Sequence, residues 1–360
     1  MKIIFINNLR LPTEKAYGQS IASMASALAS AKVEVEVIGR KGQVETSFFN
    51  FYDIADNFKF KTLTGPRLLS PRWGRFSDYL NRILFLTVLF KQKFSSDSIF
   101  ITRQPEIAWF LGLRGYEVVF DAHRFPDHFG LSLVWLIKKV KFVSANSHGT
   151  AKAFEQAGFY RVKVLPNGVD LKRFDLPAKE NRGRIALYLG HLYEWKGVEV
   201  ILATASLAPD ILFKIAGGPE TERKKLEILS TERNLKNVEF VGIIPSAQVA
   251  AYLKGADVLI YSARADSIEA RLYTSPIKLF EYLASGVPAV VADLPSVREI
   301  VTEQHVTFYS PGKASSLAVA LHTILIDPIS ANMKAAAGRE LMKQYTWQQR
   351  ADKLLYYLNS

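Results

Sequence analysis

Apolar and polar positions follow two rhythms along this 360-residue chain. Near its start, Lys2-Ile3-Ile4-Phe5-Ile6 is a short apolar run, the pattern of a buried strand. After a polar loop through Arg10-Leu11-Pro12-Thr13-Glu14-Lys15-Ala16-Tyr17-Gly18, apolar residues recur at Ile21, Met24, Ala25 and Leu28. That spacing predicts a helix from about Gln19 to Ser30. Val33 to Ile38 reads as the next strand. The same order returns later: Ile185 to Leu189 as a strand, a loop through Lys196-Gly197, a helix carrying Val200, Ile201, Ala203 and Ala205, then Ile211 to Ala216 as a strand. Strand, glycine-bearing loop, helix and strand, met twice, predict an α/β chain of two Rossmann-like doubly wound domains.

The expected boundaries follow from turn-rich composition. Residues 1–165 form the first domain, and 166–183 form a linker that opens on Pro166-Asn167-Gly168-Val169-Asp170. Residues 184–335 form the second domain, and 336–360 a terminal helical segment. Inside the second domain, Asn237 to Gly242 and Asp257 to Tyr261 read as strands, and Ser246 as the cap of a helix. The pattern from Met333 to Leu358 is helical with an interruption near Tyr345-Thr346-Trp347.

Composition narrows the function classes. A hydrophobic share of 49% marks an ordered globular chain. The absence of cysteine removes disulfide scaffolds, thiolate metal sites and cysteine nucleophiles, and suits a reducing compartment. The first apolar run is too short for a signal peptide, and no run reaches the roughly 20 apolar residues that span a bilayer. A cytoplasmic location, peripheral on the inner face of a membrane, is therefore expected. Net charge is +12, and Lys59, Lys61, Arg67, Arg72, Arg75, Arg82, Lys91 and Lys93 surround a single acid, Asp78. Phe58, Phe60, Trp73, Phe76 and Tyr79 are interleaved with them. Such a 59–93 segment fits an anionic membrane surface or is a solvated face over a core helix. Nucleic acid is disfavoured, because no recognisable module accompanies the charge.

The stretch Thr274-Ser275-Pro276-Ile277-Lys278-Leu279-Phe280-Glu281, ending at Gly286-Val287-Pro288, carries the most chemistry. Ser275 is a good N-cap, Pro276 suits the first helical position, and Gly286 suits the residue just past the helix. Ala289-Val290-Val291-Ala292 follows as a strand. A helix N-terminus presents open backbone amides and partial positive charge to an anion, and Lys278 adds a full charge there. Glu281 shares the face of Ile277 and Lys278 and can accept hydrogen bonds from sugar hydroxyls.

From Ser275 to Pro288 the sequence resembles the nucleotide-sugar element of family 4 glycosyltransferases, in the form Ser-Pro-x-Lys-Leu-x-Glu-Tyr-x-Ala-x-Gly-x-Pro. The resemblance implies a retaining enzyme of the GT-B fold, its two domains facing an interdomain cleft, with residues 336–360 crossing back to an acceptor-binding first domain. It also implies roles for further residues. Lys196, before Gly197, would contact the donor diphosphate and stabilise charge growing on the leaving group. His191 stands after Gly190 where many members place arginine, so it offers one hydrogen bond instead of a charged fork. His123, after Glu117-Val118-Val119-Phe120-Asp121-Ala122, matches a histidine that contacts the transferred sugar. Gly18 would let backbone approach the donor phosphate or the acceptor.

Two departures stand out. Tyr273 occupies the position of a glutamate that touches the donor sugar in many relatives, with Asp266 and Glu269 nearby as substitutes. No Asp-x-Asp occurs, and no histidine spacing suits a metal, so no metal or other cofactor is expected and the cations and helix dipole take its place. His128, His148, His305 and His322 read as structural.

These observations predict a glycosyltransferase that moves a sugar from a UDP- or GDP-sugar to a glycan or lipid-linked acceptor, in cell-surface polysaccharide or glycolipid synthesis. The alternatives are a nucleotide-sugar epimerase or hydrolase of the same fold, or a non-catalytic relative that binds membrane through its basic segment. A dehydrogenase is disfavoured, since no GxGxxG follows either opening strand.

Overall fold

Two parallel sheets organise the chain. The computed structural model describes all residues except 43–45, 64–73, 127–129 and 178–182, and of 74–80 and 130–131 it describes the backbone. The first compact unit comprises Met1–Pro166 together with Trp347–Ser360, and the second comprises Asn167–Thr346.

The first unit holds β1 (Lys2–Leu11), β2 (Glu34–Lys41), β3 (Lys59–Thr62), β4 (Ser98–Thr102), β5 (Glu117–Ala122), β6 (Phe142–Ala145) and β7 (Val162–Val164). Their order across the sheet is β3-β2-β1-β4-β5-β6-β7, with parallel pairing throughout. The strand order reverses between β1 and β4, which makes their C-terminal ends the topological switch point. β1 continues past the apolar run through Asn7, Asn8 and Arg10, with a register irregularity between Ile6 and Arg10. The continuous apolar run ends at Ile6, and the strand goes on through the more polar Asn7-Asn8-Leu9-Arg10-Leu11.

In the second unit β8 (Ile185–Leu189), β9 (Leu212–Ala216), β10 (Val238–Gly242), β11 (Val258–Tyr261), β12 (Ala289–Ala292) and β13 (Thr307–Tyr309) form a sheet of order β10-β9-β8-β11-β12-β13. This sheet is also parallel, with its switch point between β8 and β11. Parallel sheets are covered on both faces, which accounts for strands such as β11 and β12 being buried at every position. Among the described residues, no single helix is long and apolar enough to cross a membrane.

Residues 167–177 do not behave as a linker. Asn167 bonds to Ser275, and Val169 bridges Thr346 while its N–H donates to Tyr345 O at 2.9 Å. These bonds tie the turn-rich stretch into the second unit. The terminal helical pattern divides at the expected place: a helix Pro328–Leu341, a 3-10 turn Met342–Tyr345, an extended Thr346, and a helix Trp347–Asn359. The last helix groups with the first unit and packs against the helix Ala16–Ser30. The boundary expected at residue 336 therefore lies at Trp347, because Thr346 is held by Val169.

The basic 59–93 segment is only partly described. Arg67, Arg72 and Trp73 lie outside the described residues, as do the side chains of Arg75, Phe76, Asp78 and Tyr79. Of the rest, Lys59 pairs with Glu34 at 3.5 Å, Arg82 pairs with Glu106 at 3.3 Å, and Lys61 donates to Gln92 at 3.1 Å. Phe58 is buried and Phe60 stacks on Phe48 at 4.2 Å, so these two rings belong to the packing of the first unit.

Candidate donor and sugar sites

β8 ends at Leu189 and the chain turns through Gly190, a 3-10 turn Glu194–Lys196, and Gly197 in the left-handed region at φ 59. Gly190 N–H donates to Ala216 O at 3.0 Å, and Leu192 N–H to Gly218 O at 2.8 Å, so the loops after β8 and β9 are stitched together. A Cβ on Gly217 would stand 1.7 Å from Gly190 O, so the close approach requires glycine there. Neither contact between these loops is apparent from the linear pattern.

Lys196 closes the turn. Its carbonyl accepts from Ser262 Oγ at 2.8 Å, just beyond β11, and Arg264 N–H donates to Trp195 O at 2.9 Å. The switch-point loops of β8 and β11 thereby fix the lysine's backbone. The half-buried ammonium lies 4.0 Å from the Trp195 ring centroid and 5.5 Å from that of Tyr261. Among the described residues no carboxylate pairs with it. Burial, and then Lys278 nearby, lower its pKa to about 8. An incompletely hydrated cation beside a second cation is costly until an anion arrives.

The motif helix runs Ile277–Ser285 and corrects two expectations. Pro276, not Ser275, is the capping position, and it makes no side-chain cap bond. Pro276 O accepts from Leu279 N–H at 3.0 Å and Phe280 N–H at 3.3 Å. The amides of Ile277 and Lys278 precede these and have no intrahelical acceptor. Ser275 is diverted from capping because its Oγ accepts from Asn167 N–H at 2.8 Å, while its carbonyl accepts from Asn167 Nδ2 at 2.7 Å. Gly286 ends the helix at φ 70, as its position suggested. Ser246 also fails as a cap: it lies inside a short 3-10 turn and accepts from Arg173.

Lys278 and Glu281 share one helix face and meet at 2.8 Å, with Glu281 largely buried. One residue on, Tyr282 Oη donates to Leu189 O at 3.0 Å and accepts from Leu189 N–H at 2.8 Å, which locks the helix to β8. His191 is half-buried; its ring stacks on Tyr193 at 5.0 Å and its carbonyl accepts from Tyr188 Oη at 2.6 Å. Asp266 pairs with Arg264 at 2.6 Å, and Glu269 accepts from Ser267 Oγ at 3.2 Å.

In the first unit His123 follows β5, and its Nε2 lies 3.0 Å from Asp121 Oδ2. Burial first, then Arg103, lowers its pKa to about 4, so the ring is neutral near pH 7. A neutral ring beside a carboxylate donates Nε2–H and keeps its Nδ1 lone pair as an acceptor. Asp121 also accepts from Arg103 Nε at 2.8 Å, Arg350 Nη2 at 3.0 Å and Ser144 Oγ at 3.3 Å. Sequence reading missed Arg103 and Arg350; no motif marks either one. Gly18 sits inside the helix Ala16–Ser30, not in the loop before it. A Cβ there would stand 2.0 Å from Tyr52 Oη, so packing against Tyr52 already demands this glycine.

Residues 170–341 match the family model described as glycosyl transferases group 1. Among curated proteins the chain is 25% identical over 225 residues to a glycogen synthase of Mycobacterium tuberculosis, covering 59% of this chain and 53% of that one. It is 26% identical over 201 residues to a phosphatidyl-myo-inositol mannosyltransferase of Mycobacterium leprae, covering 53% and 51%. The chain thus spans about half the length of the curated relatives it matches. Among solved structures it resembles a sucrose-phosphate synthase from Thermosynechococcus elongatus, with TM-score 0.80, 19% identity, and 99% and 98% of the two chains covered. It also resembles Anabaena HepE in complex with UDP and glucose, with TM-score 0.76, 16% identity and full coverage of both chains at 100%. Residues 170–341 are thus similar to the group 1 glycosyl transferases, and the chain has the GT-B fold of the solved structures it resembles.

Proposed function

We propose that the chain transfers a sugar from a nucleoside diphosphate donor to a glycan or lipid-linked acceptor, with retention of anomeric configuration. The observation that carries this reading is Lys196: a half-buried ammonium with no carboxylate partner among the described residues, beside Lys278 and the open amides of Ile277 and Lys278. That corner is suited to a diphosphate. Relatives point the same way, since HepE is solved with UDP and glucose and the curated matches are a glycogen synthase and a mannosyltransferase.

In the reaction, the bond between the sugar's anomeric carbon and the diphosphate oxygen breaks, and its electron pair leaves with the diphosphate. Lys196 and the helix amides hold the charge that develops on that oxygen. The acceptor hydroxyl attacks the same face of the sugar, and its proton passes to the departing diphosphate oxygen. Glu281 takes donor hydroxyls, such as those of a ribose, and His123 Nδ1 accepts from a sugar hydroxyl. Two lysines and a helix dipole supply the positive charge that a divalent cation would otherwise bring. Cell-surface polysaccharide or glycolipid synthesis on the cytoplasmic face of a membrane is the setting this chemistry suits.

Calorimetry with UDP, GDP and ADP tests the reading, alongside the Lys196→Ala variant. One of the three should bind the wild type and lose at least tenfold in affinity in the variant. No affinity for any of them rejects it. Incubation with the sugar nucleotide alone then separates transfer from epimerisation or hydrolysis, since a transferase consumes little donor until an acceptor is added.

A further inference from the structure

Three neighbouring helices of the first unit leave apolar surface uncovered at one end. They are Gly74–Phe90, Pro105–Leu113 and Gly130–Ile137, and each leads directly into the next strand, β4, β5 and β6 in turn. Their C-terminal ends therefore stand at the N-terminal edge of the sheet, opposite the strand end that carries His123. From Ile107 to Leu113 the second helix is wholly apolar, and in the third only Ser132 is polar. A helix apolar all round calls for burial on every side. Ile107, Leu111, Leu133 and Ile137 do face the core, yet Phe90, Leu113 and Trp135 are each at least half exposed.

The rings form one connected strip. Phe90 and Phe110 lie 6.5 Å apart, and Trp109, next along the helix from Phe110, stacks on Trp135 at 6.2 Å. Cations are set into this strip. The Arg114 guanidinium lies 5.8 Å, 5.7 Å and 5.6 Å from the ring centroids of Phe90, Phe110 and Tyr116, and the Lys138 ammonium lies 5.0 Å from that of Trp135. Arg161 continues the row, its Nη2 donating to Lys138 O at 2.6 Å. The turns from helix to strand, residues 91–97, 114–116 and 138–141, are described throughout, and they hold six cations against one acid, Asp97. The acids beside them are engaged: Glu106 pairs with Arg82 at 3.3 Å, and Glu117 with Lys141 at 3.0 Å.

We propose that this edge docks on an anionic lipid bilayer, with the aromatic strip at headgroup depth and the cations against lipid phosphates. Tryptophan suits that depth because its body is apolar and its N–H is polar, and long cationic side chains bury their stems while their heads stay in water. Cations near an anionic leaflet add attraction that an apolar strip alone would lack. The inference goes beyond the transferase reading and does not rest on it.

The test is flotation of the full chain with vesicles of phosphatidylcholine alone and of phosphatidylcholine mixed with phosphatidylglycerol, at low and high salt. The wild type should bind the anionic vesicles at least tenfold tighter than the neutral ones, and less tightly as salt rises. Phe90→Ser combined with Trp135→Ser should cost at least tenfold. Lys138→Gln combined with Lys139→Gln should cost at least fivefold and weaken the salt dependence, at an unchanged melting temperature, since both lysines are exposed. Equal affinity for the two vesicles, or none for either, overturns the proposal. So does wild-type affinity in both double variants, or a loss confined to Arg67→Gln with Arg72→Gln, which would move the contact elsewhere in the 59–93 segment. Dimers abolished by Phe90→Ser with Trp135→Ser, without vesicle binding, would assign the strip to a second copy of the chain. UDP and GDP calorimetry on the same samples scores the donor reading separately.

Discussion

Lys278 Nζ stands 2.8 Å from Glu281 Oε2, one helical turn apart on the helix whose first amides are open. The pair divides labour at the donor corner. Glu281 offsets part of the Lys278 charge, so a carboxylate stands beside a site meant for an anion. A group that repels the diphosphate must return its cost elsewhere, and hydrogen bonds to donor hydroxyls do so. Replacing Glu281 by Gln should therefore separate two ligands. Inorganic pyrophosphate, which has no hydroxyls, should bind several-fold tighter to the variant, and the matching nucleoside diphosphate several-fold weaker. Sugar transfer should fall by about a hundredfold or more, the scale of a lost transition-state contact. Parallel titrations and a turnover assay check all three. Tighter binding of both ligands would remove Glu281 from donor recognition.

Lys196 brings a pH dependence whose sign follows from its lowered pKa of about 8. An anion binds the protonated ammonium, so affinity is complete below about 8 and falls above it. In the simplest case the loss approaches about tenfold per pH unit beyond the pKa, while the bound anion raises the lysine's own pKa. Nucleoside diphosphate affinity measured from pH 7 to 9.5 should show this decline. Lys196→Arg, whose charge does not titrate there, should flatten the profile even where its geometry weakens binding. A wild-type profile level to pH 9.5 would mean that Lys196 is not the diphosphate's partner.

If those cations carry the electrostatic load, metal removal should change little. Turnover in excess EDTA should stay within about twofold of that with added magnesium, because two ammonium groups and the helix amides meet the leaving group directly. A loss of tenfold or more, restored by magnesium, would place a divalent ion in the reaction.

What could be read from residues alone divides along a physical line. Strands such as Ile185–Leu189 and Ala289–Ala292 were legible to the residue, because parallel strands buried on both faces are unbroken apolar runs. The helix end at Gly286 was legible because a left-handed residue favours glycine. Ser275 misled because its hydroxyl had a choice between a local cap and Asn167, which lies 108 positions away. Local preference could not show that the distant partner wins. Arg103 and Arg350 were invisible for the same reason: each meets Asp121 from another part of the chain. The burial of Lys196 beside Lys278 also needs the folded sheet, although the lysine itself stood out from its glycine neighbour.

Arg350 ties the last helix into the first unit through three acceptors: Asp121, Leu165 O and Pro166 O. Both Arg350 and Asp121 are nearly fully buried, at 6% and 7% relative exposure. Removing one member of a buried ion pair leaves the other uncompensated, which costs about 3–5 kcal/mol. Arg350→Ala should destabilise the chain by that order in urea unfolding and should release the terminal helix to proteolysis. Arg350→Met, which keeps the apolar stem, should recover only part of the loss, because Asp121 stays short of a partner. Equal stability of wild type and Arg350→Ala would show that Arg103 alone satisfies Asp121.

His123 and Asp121 both lose stability as pH falls, but in different pH windows, so the two can be separated. Burial and Arg103 hold His123 near pKa 4, below the value of about 6.5 expected unfolded. The unfolded chain therefore takes up a proton first, and the stability present above pH 6.5 is lost as pH falls toward 4. A shift of this size corresponds to about 3 kcal/mol. Asp121 is held well below its usual range despite burial, by Arg103, His123 and Arg350. Its contribution is present above pH 4 and is lost only at stronger acid. Unfolding free energy measured from pH 7.5 to 4.5 should thus fall in the wild type. In His123→Gln, which keeps a hydrogen-bond donor for Asp121, the fall should be smaller by about 2–3 kcal/mol. If the two proteins lose stability in parallel across that range, the imidazole does not titrate with folding, and its neutral, acceptor-bearing form at Nδ1 loses its support.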